Sequence, residues 1–155
     1  PLRAGDFLAA YSAPYLAVSA IQAVFVFVIA LFFGLEMAGN VGLVVLVLAL
    51  MAVWYVAMGM FLGSVLPYKA VAAGWVFVLL LTIFGGTWVN LEDIGGVFRT
   101  VGDVFPFAHS LDAVRGVMLD GAGFDDILAD LWWIVGHTAG LVALSVVVFR
   151  WRMSE

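Results

Sequence analysis

The chain, 155 residues long, contains no cysteine. Disulfides, thiolate metal sites and cysteine nucleophiles are thereby excluded, although the redox compartment stays open. Charge is almost as scarce, with Asp, Glu, Lys and Arg together making up 11% of the residues. A water-soluble domain commits about a quarter of its residues to charge, so this composition cannot give an ordinary wet surface. No G-x-x-x-x-G-K-[ST] loop is present to cradle phosphates. There is also no charged n-region with a small-residue cleavage site, no internal repeat and no low-complexity tract. The chain opens on Pro1 rather than Met, so further sequence is expected upstream.

What fills the chain is apolar: 66% of its residues are hydrophobic, and 17 are glycine. About 20 apolar residues at 1.5 Å each cross a hydrocarbon core of about 30 Å. Four stretches satisfy this, at 13–35, 41–62, 70–89 and 128–149. They are bounded by Glu36 with Gly39-Asn40, by Pro67-Tyr68-Lys69, by Asn90-Leu91-Glu92-Asp93, and by Arg150-Trp151-Arg152. Helices are required, because an open sheet leaves backbone groups unpaired in lipid and the runs are continuous rather than alternating. The expected fold class is therefore an all-α polytopic membrane protein, forming one transmembrane unit.

Four spans put both ends on one side, with Arg3, Lys69, Arg150 and Arg152 against Asp6 and Glu155. The other side collects Glu36, Glu92, Asp93, Asp103, Asp112, Asp120, Asp125, Asp126 and Asp130 against Arg99 and Arg115. Basic residues are retained on the cytoplasmic side, so both ends are expected there, in the cell membrane. Tyr11, Tyr15, Tyr68 and Trp151 suit the inner interface and Trp88, Trp132 and Trp133 the outer one, while Trp54 and Trp75 read as packing residues.

The segment 90–120 is too polar for a fifth span but too periodic for a loop. Ile94, Val97, Phe98, Val101, Val104 and Phe105 recur at helical steps, and Pro106 ends or bends the helix they imply. A second helix follows, with Phe107, Leu111, Val114 and Met118 along one edge up to Asp120-Gly121. Together they predict a re-entrant amphipathic hairpin on the outer side.

Few polar groups lie at span depth. His137 is expected as a hydrogen-bonded histidine packed between helices rather than part of a proton path, and Gln22 as an interhelical hydrogen bond rather than a ligand contact. Haem ligation by His109 and His137 is disfavoured, because they fall at different depths with no other donor nearby. Gly59 with Gly63 and Gly136 with Gly140 have the spacing that permits close helix packing within the subunit. No metal-ligand spacing accompanies the acidic side, and no carboxylate accompanies the hydroxyls within the spans, so neither a metal site nor an intramembrane enzyme is indicated.

The runs GMFLGSVLPYKAVAAG, FGGTWVNLEDIGG and PFAHSLDAVRGVMLDG, with the closing FRWRMSE, resemble the C-terminal part of the type-2 ATP-binding-cassette exporter permeases. The opening PLRAGDFLAAYSAPYL is similar to the segment after the first cytoplasmic coupling helix of that family. The most specific part is Pro106, Phe107, His109, Asp112, Ala113 and Arg115; Gly63-Ser64 and Gly85-Gly86 are weaker. Where many relatives have a proline after the corresponding span, this chain has Asn90-Leu91-Glu92.

The resemblance implies two further helices, six in all, and a permease that exports a hydrophobic or amphipathic substrate (drug, antibiotic, lipid or glycan) by alternating access. It implies a second permease subunit, identical or different, and an ATP-binding subunit that holds ATP and Mg. No cofactor on this chain and no nucleic-acid partner are expected; lipid surrounds it. Pro106, Phe107, His109, Asp112 and Arg115 are then candidates for an outer gate, with Arg115 anchoring the hairpin to carbonyls or to Asp112. A water-exposed Asp112–Arg115 pair is the alternative for those two residues. For the whole chain the alternatives are a non-transporting scaffold or assembly subunit, or a secondary transporter.

Overall fold

In the computed structural model, residues 4–83, 86 and 96–153 are described, and each regular element among them is a helix. In chain order these are α1 (Ala4–Phe32), α2 (Val41–Val65), α3 (Tyr68–Thr82), α4 (Gly96–Val104), α5 (Pro106–Asp120) and α6 (Leu128–Met153). Three stretches are long and apolar enough to cross a membrane, Ala10–Phe32, Val41–Val65 and Leu128–Arg152, and α3 adds a shorter apolar stretch, Tyr68–Leu80. The chain is thus an all-α polytopic membrane protein. Residues 87–95, with Trp88 and the expected turn at 90–93, lie outside the described residues, as do Arg3, Gly85 and Glu155. So do the side chains of Phe98, Arg99 and Val101.

The helix ends follow from local chemistry. α1 begins earlier than the expected span and stops at Phe32 rather than at residue 35. Gly34 adopts a left-handed φ of 85°, and the Gly34 and Leu35 amides donate back to the Leu31 and Ala30 carbonyls, each at 3.1 Å. This closure needs a residue without a Cβ penalty, which Gly34 supplies. α2 starts where the Asn40 side chain accepts from the Gly42 amide at 2.7 Å. Pro67 precedes α3, where its missing N–H removes no helical bond.

The core lies between α2 and α6. Val44, Val47, Met51 and Trp54 recur at three- and four-residue steps on α2 and are buried. Leu131, Ile134 and Ser145 are buried along α6 in a compatible rhythm, with Leu141 packed beside them. The two helices run in the same direction, since Arg152 at the end of α6 donates through Nη2 to the Val65 carbonyl at the end of α2, 3.2 Å away. Ser64 and Ser145 are buried without leaving an orphan, because each hydroxyl donates to the carbonyl four residues back at 2.7 Å. α1 joins this pair through the Ser12 hydroxyl, 2.8 Å from the Met60 sulfur.

Much of α1 is uncovered, with Ile21, Phe25 and Phe32 exposed. In lipid such surface needs no burial, because the surroundings are as apolar as the side chains. A helix that is apolar around its whole circumference is what this environment selects.

Candidate functional site

α4 and α5 form a helical hairpin whose corner is Pro106, the first residue of α5. A helix ending against a proline leaves its last carbonyls without backbone donors. Here Phe105 closes one bond to the Gly102 carbonyl at 3.0 Å, and side chains take up the next two. His109 Nε2 lies 2.9 Å from the Asp103 carbonyl, and Trp133 Nε1 donates to the Val104 carbonyl at 3.2 Å. The other imidazole nitrogen, Nδ1, is 2.7 Å from Asp130 Oδ1. Residues from α4, α5 and α6 are thus tied at one point.

The His109 ring thus spans the Asp103 carbonyl and the Asp130 carboxyl, joining the corner of the hairpin to α6. The Trp133 ring packs on His109 with centroids 5.2 Å apart, and His137 flanks its other side at 5.3 Å. Asp112, on the same hairpin, has its carboxyl pushed above the usual carboxylate range by desolvation and by Asp130, against the opposing pull of Arg115 and His109.

Two more contacts seat the hairpin. Phe107 is buried edge-on against Trp54, with centroids 4.8 Å apart, and Ala113 and Val117 are buried further along α5. The Trp54 indole N–H is buried without a hydrogen-bond partner. At the far end of α5 the Ala38 amide donates to the Met118 carbonyl at 2.9 Å. A Cβ at Gly39 would overlap the Val117 carbonyl, so only glycine lets this loop lie on the α5 backbone.

Arg115 reaches a carbonyl, that of Gly86, at the long distance of 3.5 Å, while no ion pair forms between it and Asp112. The buried stripe of α5 runs through Phe107, Ala113 and Val117, with Val114 and Met118 at its flank, a rotation from the expected edge. Val97 and Val104 on α4 face outward and are exposed.

Several expectations need correction. His137 does not bridge helices: its Nδ1 meets the Trp133 carbonyl of its own helix at 3.0 Å. Among the described residues Gln22 makes no interhelical hydrogen bond, and it borders an apolar hollow of about 400 Å³ between α1, α2 and α5. Of the glycines spaced for packing, Gly59 lies where a Cβ would meet Trp75 at 3.4 Å, but Gly63, Gly136 and Gly140 have nothing within 4 Å. Spacing permits approach without supplying a neighbour. Among the described residues no group of three or more His, Asp or Glu side chains could hold a metal ion.

Asp130, Trp133 and Gly39 were not among the expected site residues. Asp130 read as one more outer-side acid and Trp133 as an interface anchor. Their partners lie 21 and 29 residues away along the chain, beyond any local pattern.

No curated protein and no solved structure matches the chain. The sequence pattern of one family does, the ABC-2 type transporter, over residues 1–119. That match covers α1 to α4 and all but the last residue of α5, so the corner at Pro106 falls within it, while α6 lies beyond it. The chain therefore belongs to the ABC-2 type transporter family, whose members are the membrane-embedded permease components of ATP-binding-cassette transporters.

Proposed function

We propose that the complete protein is the membrane subunit of an ATP-driven exporter that moves a hydrophobic or amphipathic molecule outward by alternating access. The family match carries this reading, since membership implies an ATP-binding partner. A second permease subunit, identical or related, completes the pathway, and ATP and Mg bind the partner rather than this chain. Lys69, Arg150 and Arg152 lie on the cytoplasmic side and the hairpin on the outer side, as the distribution of basic residues favours.

In this reading the hairpin is the outer gate. Pro106, Phe107 and His109 fix its corner, and Asp112 and Arg115 bias its position. The His109–Asp130 and Trp133–Val104 contacts support it, because they make the hairpin follow the outer end of α6. Nucleotide binding drives such a gate only through different affinities for its two positions.

In vesicles holding the complete permease and its ATPase, outward movement of a fluorescent amphiphile is expected to require ATP. It should stop when the catalytic carboxylate of the ATPase is replaced. Movement that persisted with a dead ATPase would identify a secondary transporter, and no ATP-dependent movement at all would favour a scaffold.

A further inference from the structure

At the end of the bundle that carries Arg150 and Arg152, α1, α2, α3 and α6 do not close on one another. They leave a cleft of about 610 Å³ that is partly open to the surroundings, its volume within the range of about 300–1,000 Å³ that holds drug-sized ligands. Tyr11 and Tyr15, one turn apart on α1, face Tyr55 and Gly59 on α2, and Trp75 comes from α3. The Trp75 ring packs on α2 at Gly59, 3.4 Å from where a Cβ would stand. Gly63, a turn further along α2, also lines the space and has nothing in front of it.

We propose that this cavity is a binding site for an uncharged, aromatic-bearing amphiphile. The lining offers the flat ring faces of Tyr15, Tyr55 and Trp75 and the hydroxyls of Tyr15 and Tyr55, which can both donate and accept hydrogen bonds. Among the described residues no Asp, Glu, Lys or Arg lines it, so a ligand charge of either sign would meet no counter-charge from them. The ring faces alone would also suit a cation. Against that stands the Arg152 guanidinium, which donates to the Val65 carbonyl beside the lining residue Ser64 and puts a like charge near a bound cation. Service of this site in transport rests on the exporter reading; binding does not.

The test uses the complete permease in lipid nanodiscs, without ATPase or nucleotide, and N-phenyl-1-naphthylamine as a neutral fluorescent probe. A saturable signal above that of empty discs is expected. Gly63→Leu projects into open space and should weaken the Kd by roughly tenfold or more. Gly140→Leu, equally unobstructed but outside the cavity, should leave it unchanged. If Gly63→Leu lowers the yield of folded protein, Tyr15→Leu, at an exposed lining position, provides the same reading. Tetraphenylphosphonium should compete poorly.

A non-saturable signal, as would follow if another helix filled the space, overturns the proposal. So does undiminished binding by the cavity variants, or a tighter fit for the cation. Binding as expected but without ATP-driven transport would sink the exporter reading and leave the site standing; transport without such binding would do the reverse.

Discussion

The two ends of the helical bundle solve different problems. At the hairpin end the chain breaks at Pro106, and two exposed carbonyls at that break are met by His109 and Trp133. At the opposite end α2 gives way to α3 at Leu66–Pro67, where Arg152 meets the Val65 carbonyl, and the helices stand apart around a cleft lined by rings and hydroxyls. Irregular backbone near lipid must be covered by protein or reached by side-chain donors. Most of the polar ties and the close backbone approach gather at the hairpin, and the cleft lies at the other end.

Placing the same substitution at both ends gives the largest contrast. Valine at Gly39 meets the Val117 carbonyl, a backbone atom that cannot rotate away, whereas valine at Gly63 meets nothing within 4 Å. Overpacking of this kind costs about 1–3 kcal/mol, and loss of the adjoining Ala38–Met118 bond about 1 kcal/mol more. Thermal unfolding of the complete permease should show a marked drop for Gly39→Val and little change for Gly63→Val. Equal midpoints for the two variants would mean that the loop does not rest on α5.

The clamp is the next test. His109→Ala removes the donor to the Asp103 carbonyl and leaves Asp130 unpaired, a cost of about 1–3 kcal/mol. Trp133→Phe keeps the ring but loses the bond to Val104, worth about 1 kcal/mol. Because the two rings touch and cap neighbouring carbonyls, the double variant should lose less than the two single losses combined, with a coupling of about 0.5–3 kcal/mol. Hydrogen exchange should speed up at α4 amides and leave the α2 core unchanged. Unaltered exchange in α4 would show that the hairpin is held by α5 packing alone.

How far the sequence foretold these two ends depends on the range of each interaction. The apolar runs, the Asn40 start of α2 and the Pro106 break are local, and they were legible. So was the packing role of Trp54, whose ring sits in the core. The His109–Asp130 and Trp133–Val104 contacts were not, because they join segments separated by the tertiary fold. Glycine was read as punctuation or packing by spacing alone. Gly39 and Gly59 turn out to lie against other helices while Gly63, Gly136 and Gly140 do not, a difference set by neighbours rather than by the local pattern. The cavity has no sequence signature, since Tyr11, Tyr15 and Trp75 are equally at home at an interface or in a core.

The smallest expected effect refines the account of the hairpin end. Asp112 has a raised carboxyl because burial and the neighbouring Asp130 both disfavour its ionised form. Its folded pKa then lies above its unfolded value, so the folded state holds the proton more tightly. The associated stability is present below the unfolded pKa and is lost as pH rises through the folded one. Asp112→Asn, which cannot ionise, should remove this fall and leave the hairpin slightly more stable than wild type near neutral pH. The gain should be small, because Asp112 is only partly withdrawn from solvent, which still screens its repulsion from Asp130. Unfolding midpoints of both proteins, measured from mildly acidic to neutral pH, provide the check. Should Asp112→Asn be less stable than wild type at neutral pH, the carboxylate would be a favourable partner of Arg115 rather than a strained neighbour of Asp130.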